Sequence, residues 1–262
     1  MTVSSPSLAV VNLAFERQGE AEALARSLEV PLVSEAEAAA FGQVLVLTPE
    51  RLELRETGPQ AAGAVYVDFA SGRYDHRRRF GGGRGQEIAR AAGLKGGRTP
   101  DVTDATAGLG ADAFVLASLG CTLRLIERRG PVAALLRDGL ERARNHPDPE
   151  LSAIAARMTL LEGDAAERLP TLDPAPSVVY LDPMYPAKAK TSLPKKEMRL
   201  FHTLVGPDLD SGRLLTAALE VARYRVVVKR PAGAPPLAGP KPSAAVQSKN
   251  TRFDLYVKAA LD

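Results

Sequence analysis

Apolar residues recur along this chain with two periods, and the way they alternate changes near residue 70. "LAVV" (8–11) and "QVLVL" (43–47) are apolar runs of strand length. Between them, residues 17–28 carry alanine, leucine and glutamate at helical spacing. Residues 43–47 and 51–55 read as a hairpin around Thr48-Pro49-Glu50, and 64–69 ("AVYVDF") as one more strand. A small α/β unit over residues 1–72 is expected. A turn and a basic, glycine-rich loop follow (71–85), then a short helix from Gln86 closed by Gly93.

Beyond that point strands and helices alternate. Strands are predicted at 101–104, 122–126, 158–161, 177–181, 225–229 and 253–257, and helices at 112–119, 132–145 and 214–222. A Pro/Gly-rich loop (231–242) precedes the last strand. This succession predicts an α/β fold over 73–262, a doubly wound and mostly parallel sheet. Ligands on such sheets lie at the carboxyl ends of the strands. The residues that follow each strand are therefore the ones that matter.

Composition narrows the function classes. With 45% hydrophobic and 25% charged residues the chain is globular in type. No run of about 18 apolar residues occurs, so no membrane span is expected. The N-terminus lacks a basic region before its apolar stretch, which argues against a secretory signal. The single cysteine, Cys121, excludes an internal disulfide framework, and a reducing cytoplasmic setting is expected. His76, His146 and His202 are scattered without ligand spacing, so no metal site is expected. The net charge of +3 conceals a division: residues 1–72 hold 4 Lys+Arg against 10 Asp+Glu, and residues 73–262 hold 30 against 21. Positive charge concentrated in the larger part points to a polyanionic partner.

Two strand ends carry candidate chemistry. "VTDATAGLGAD" (102–112) follows a strand and opens a helix, and Gly108 and Gly110 let its backbone turn tightly against a ligand. Asp104 closes that strand. Glu127 closes the next one, at a distance suited to ribose hydroxyls. The alternative is a glycine turn with a helix-capping acid. Ala113 stands where the dinucleotide fingerprint has its third glycine, an allowed substitute, so the spacing alone admits NAD(P) or S-adenosylmethionine (SAM). A carboxylate at 104 repels a pyrophosphate and attracts a sulfonium or an amine, which favours SAM. Asp164, after the 158–161 strand, can accept from the adenine amine, or serve as a turn residue or helix cap.

The second candidate is "YLDPMYP" (180–186), where an apolar strand runs into an aspartate, two prolines and an aromatic. An exocyclic amine on a base attacks poorly, because its lone pair is delocalised into the ring. The Asp182 carboxylate and the Pro183 carbonyl can hold its two N–H groups in line for attack. Tyr185 can stack on the base. The alternative is a proline-stiffened loop with a structural aspartate.

Together these residues carry a family resemblance. "VDFASGRYDHRRRFGGGRGQEIARAAG" (67–93), "DATAGLGADAFVLASLGC" (104–121), "VVYLDPMYP" (178–186), "KKEMRLFHTLVGPDLD" (195–210) and "RVVVKRP" (225–231) resemble the RsmJ family of bacterial methyltransferases. The resemblance spans most of residues 62–258. It implies a class I, Rossmann-like SAM-dependent methyltransferase acting on the N2 of a guanine in 16S ribosomal RNA. It places the cofactor against Ala111 and Asp112, Glu127 and Arg128, Asp164 and Ala165, and Asp182. Thr106 stands where many class I loops have glycine, and "LEGDAAERL" departs from the family's serine-rich version.

A basic rim around the site is expected for the RNA. "HRRRFGGGRG" (76–85) supplies Arg77, Arg78, Arg79 and Arg84, and "AKAKTSLPKKEMR" (187–199) supplies Lys188, Lys190, Lys195 and Lys196. Lys229 and Arg230 are expected to extend the ring of positive charge. The partner is then 16S ribosomal RNA or the small ribosomal subunit. The competing readings are an NAD(P)-dependent oxidoreductase and a non-catalytic RNA-binding assembly factor.

Overall fold

Two sheets organise the chain, and their strands fall where the apolar runs are. The computed structural model describes residues 8–59, 61, 63–72, 83–184 and 210–261. In the first sheet β1 (Leu8–Asn12) lies between β2 (Leu32–Val33) and β3 (Gln43–Leu47), parallel to both, and β4 (Leu52–Glu56) closes a hairpin on β3. Helix α1 (Gln18–Leu28) connects β1 to β2.

The stretch 64–69 is not the strand its alternation predicts. A single bridge joins Val65 to Leu54. Val65, Val67 and Phe69 are all buried, so the period of two is real. What they bury against is helical: Phe69 stacks on Phe114 at 4.8 Å, and Val67 fills the space over Gly139. The Val67 carbonyl accepts from the Arg142 guanidinium in place of a neighbouring strand.

The second sheet has seven strands in the order β10-β11-β9-β8-β5-β6-β7. They are β5 (Val102–Asp104), β6 (Leu123–Glu127), β7 (Met158–Glu162), β8 (Val178–Leu181), β9 (Arg225–Pro231), β10 (Ala244–Gln247) and β11 (Thr251–Val257). β5 to β9 run parallel, and β11 is antiparallel to β9 and β10. All four residues of β8 are buried, as befits a parallel strand covered on both faces. Among the described residues the helices are α2 (Glu87–Ala92), α3 (Ala111–Ser118), α4 (Gly130–Arg144), α5 (Pro149–Ala156), α6 (Ala165–Arg168) and α7 (Ser211–Val221).

Three of these elements, α5, α6 and β10, escaped the pattern, and α6 is a single turn too short to show a period. α5 is short, but its start is written in ordinary helix grammar: the Asp148 carboxylate accepts from Glu150 N at 2.9 Å, and Pro149 takes the first turn. β10 is an edge strand of small, mostly exposed residues, so it buries too little to show an apolar signature. One continuous cluster of buried side chains includes Leu45 and Leu54 of the first sheet, Leu123 of the second, Phe114 of α3 and Leu136 of α4.

Strand order sets the position of the site. β6 and β7 extend the sheet to one side of β5, while β8 and β9 extend it to the other. The chain reverses direction across the sheet between β5 and β8, and a crevice opens beyond their carboxyl ends.

Candidate active site

The loops leaving β5 and β7 are tied by their own backbones to the neighbouring strands β8 and β6. Ala105 N donates to Tyr180 O (2.9 Å), Ala107 N to Ile126 O (3.1 Å) and Gly163 N to Glu127 O (3.0 Å). The β5 loop then turns through Gly108 (φ 53°) and Gly110 (φ 75°) into α3. A Cβ on Gly110 would stand 2.9 Å from Leu136 Cδ1 and 3.2 Å from Phe69 Cζ. The left-handed backbone and this crowding both select glycine. Gly110→Ala is expected to destabilise the protein by about 2–3 kcal/mol, read from urea unfolding.

A cavity of about 260 Å³ lies against these loops. Its wall brings together most of the residues singled out in the sequence: Asp104, Gly108, Ala111, Asp112, Glu127, Arg128, Asp164, Ala165 and Asp182. Gly110 shapes the turn from behind. Pro183 is buried, and the wall is formed on either side of it by Asp182 and Met184. Tyr185, Lys188, Lys190, Lys195, Lys196, Arg77, Arg78 and Arg79 lie outside the described residues.

Each carboxylate is held differently. Glu127, 8% exposed, accepts from Gly108 N through Oε2 (2.9 Å) and from Arg129 N through Oε1 (2.8 Å). It therefore braces the glycine loop. Asp164 caps α6: Oδ1 accepts from Ala166 N (2.8 Å), and Oδ2 meets Arg213 at 3.1 Å. The helix-cap reading of that residue is correct. Its carboxylate still faces the cavity.

Asp104 is 3% exposed and accepts from Thr106 N at 3.1 Å. Burial pushes its pKa up to about 8, against the pull of that N–H. Near neutral pH most of this carboxyl is protonated, so the negative charge expected at Asp104 is supplied by its neighbours. Asp112 accepts from Tyr180 OH (2.7 Å) and Lys229 Nζ (2.6 Å). Lys229 Nζ also donates to Asp182 Oδ2 at 2.8 Å.

Thr106 and Asp210, to which the sequence assigned no role, also take part in the site. Thr106 Oγ1 accepts from Asp182 N at 2.6 Å and so fastens the β5 loop to the β8 loop. Arg128 donates to both oxygens of Asp210, at 3.0 and 2.8 Å, across the cavity rim. Burial works against the Asp210 carboxylate, but the Arg128 guanidinium outweighs it and holds the pKa below the usual range.

Three expected rim cations are placed elsewhere. Lys229 is inside the cavity, paired with two acids. Arg230 is buried and donates to Pro235 O at 3.1 and 2.9 Å. Arg84 is exposed but donates to Arg98 O and Leu119 O. Those carbonyls precede β5 and end α3, so Arg84 sits at the other end of the sheet.

SAM fits this donor set. Besides the mostly protonated Asp104, five carboxylates and three cations line the cavity. Such an acidic surplus suits a sulfonium and an amine and disfavours a pyrophosphate. A family model described as SAM-dependent methyltransferase matches residues 28–258. The crystal structure of a SAM-dependent methyltransferase from Neisseria gonorrhoeae is similar over 97% of this chain and 98% of that one, with TM-score 0.74 and 39% identity. The fold, the cavity and these likenesses define a SAM-dependent methyltransferase, and the oxidoreductase reading is set aside.

Two relatives narrow this further. Ribosomal RNA small subunit methyltransferase J of Aeromonas salmonicida is 60% identical over 218 residues, 83% of this chain and 87% of that protein. The protein of the same name from Pseudomonas aeruginosa strain UCBPP-PA14 is 51% identical over 259 residues, 98% and 97% of the two chains. The chain belongs to the ribosomal RNA small subunit methyltransferase J family.

Proposed function

We propose that this enzyme methylates the exocyclic N2 amine of a guanine in 16S ribosomal RNA. The relatives' names supply the class of RNA. The observation that carries the choice of an amine is Asp182. Its Oδ2 is held by Lys229, while its Oδ1 has no hydrogen bond to any described residue. A single carboxylate oxygen is thus left for an N–H, beside the loop that holds the cofactor.

SAM supplies an electrophilic methyl on a sulfonium. Glu127 holds the ribose hydroxyls, Asp164 and Ala165 border the adenine, and Asp104, Ala111 and Asp112 line the amino-acid end. Arg128 is kept at the rim by Asp210. The guanine amine donates one N–H to Asp182 Oδ1 and one to the Pro183 carbonyl, so that its lone pair faces the methyl. Tyr185 stacks on the base. Asp182 takes the proton that the amine loses after transfer. The arginines at 77–79 and the lysines at 188–196 bind RNA phosphates. Such an enzyme works in the cytoplasm, where ribosomal subunits are made.

Tritium from methyl-labelled SAM is expected to enter small-subunit RNA from cells lacking the enzyme. Equal labelling of large-subunit RNA contradicts this reading. Glu127→Gln is expected to weaken SAM binding by about 10- to 100-fold in calorimetry, because charge-assisted hydrogen bonds of about 1.5–3 kcal/mol are lost.

A further inference from the structure

Lys229 is legible in the sequence only as one more basic residue, yet the fold gives it a place no rim cation has. β8 and β9 are parallel neighbours, and their register pairs Leu181 with Val228. The next residues, Asp182 just beyond β8 and Lys229 still within β9, therefore lie side by side. The Lys229 ammonium reaches Asp182 Oδ2 at 2.8 Å and Asp112 Oδ2 at 2.6 Å. Asp112 is in turn fixed by Tyr180 OH at 2.7 Å, from the interior of β8. The cation thus joins the start of α3, on the cofactor loop, to the loop that receives the base.

We propose that Lys229 is a positioning residue for methyl transfer, clamping one oxygen of Asp182 against the cofactor loop and so aiming the other at the substrate amine. The proposal rests on the reading of Asp182 as the amine's acceptor. An unclamped Asp182 could rotate about its side-chain bonds and lose the in-line geometry, and small misplacements of this kind cost up to about 100-fold in rate. The ammonium has a second effect. The groups facing Asp182 are Lys229 and Arg230 from β9, Asp112 from α3, Asp104 from the end of β5 and Tyr180 from its own strand. Burial raises the Asp182 pKa, Asp112 adds to that, and Lys229 opposes both. Burial also disfavours the lysine's own charge, but Asp182 and Asp112 outweigh it and hold the ammonium charged. Without this cation Asp182 would be protonated over a wider pH range, and a protonated acid cannot accept from the amine.

The test compares K229M, K229R and D182A in the full-length enzyme. K229M is expected to lower kcat about 10- to 100-fold at neutral pH. The acid limb of its pH–rate profile is expected to move to higher pH, with part of the activity returning as pH rises. K229R, which keeps the charge, is expected to restore the limb. Carbon-13 carboxyl titration of the ligand-free protein, with the Asp182 signal assigned by its loss in D182A, is expected to show the same upward displacement in K229M. Where K229M does not unfold cooperatively, K229Q takes its place. An unmoved limb and an unmoved Asp182 titration, with D182A inactive, overturn the role of Lys229 alone. A fully active D182A overturns the acceptor reading on which it rests.

Discussion

Asp182→Ala is expected to lower kcat for methyl transfer by about 1,000-fold while leaving the fold intact. Removing one preorganised group at a reacting centre commonly costs two to three orders of magnitude. Here the lost carboxylate is the acceptor that orients the amine. The interaction matters most as the amine becomes cationic in the transition state, so kcat and kcat/KM should fall together. The melting temperature should move little. The Asp182 side chain is 41% exposed, and Lys229 keeps Asp112 as a partner. Steady-state kinetics with labelled SAM, alongside thermal unfolding, measure both. An active variant, or one that loses activity only by unfolding, contradicts the role.

The second large effect is on stability and concerns Asp104. Its folded pKa of about 8 lies well above the ordinary 3.8, because burial disfavours the carboxylate. Between those values the folded protein holds a proton that the unfolded chain has released. The stability contributed by the protonated carboxyl is complete below about pH 4 and is lost as pH rises through about 8. Asp104→Asn removes the titration and keeps a side chain that can accept from Thr106 N. In urea unfolding of the ligand-free protein, the variant should gain on the parent by a few kcal/mol between pH 5 and pH 8.5, since each unit of pKa difference corresponds to about 1.4 kcal/mol. A difference independent of pH contradicts the burial of a neutral acid at this position.

The parallel sheet was legible because its central strands are apolar on both faces and α4 and α7 are amphipathic. The glycine turn and the acids after β5 and β6 were legible for a different reason: strand ends converge on one crevice whatever the rest of the fold does. What escaped was set by contacts distant in sequence. The alternation of Val65, Val67 and Phe69 reports burial, and only the packing of Val67 on Gly139 and Phe69 on Phe114 shows that helices do the burying. Thr106 looked like a departure from a glycine loop, and its hydroxyl turns out to hold Asp182 N. Lys229 looked like a phosphate-binding cation. Its two acidic partners lie 117 and 47 residues away, beyond the reach of any local pattern. Asp210 has the same character, since its partner Arg128 is 82 residues distant.

Whether the cofactor's methyl and an exocyclic guanine amine meet beside Asp182 is read most directly by nucleoside mass spectrometry of small-subunit RNA methylated in vitro with isotopically labelled SAM. Label is expected in N2-methylguanosine. Label on a ring nitrogen or a ribose oxygen, or none at all, contradicts it.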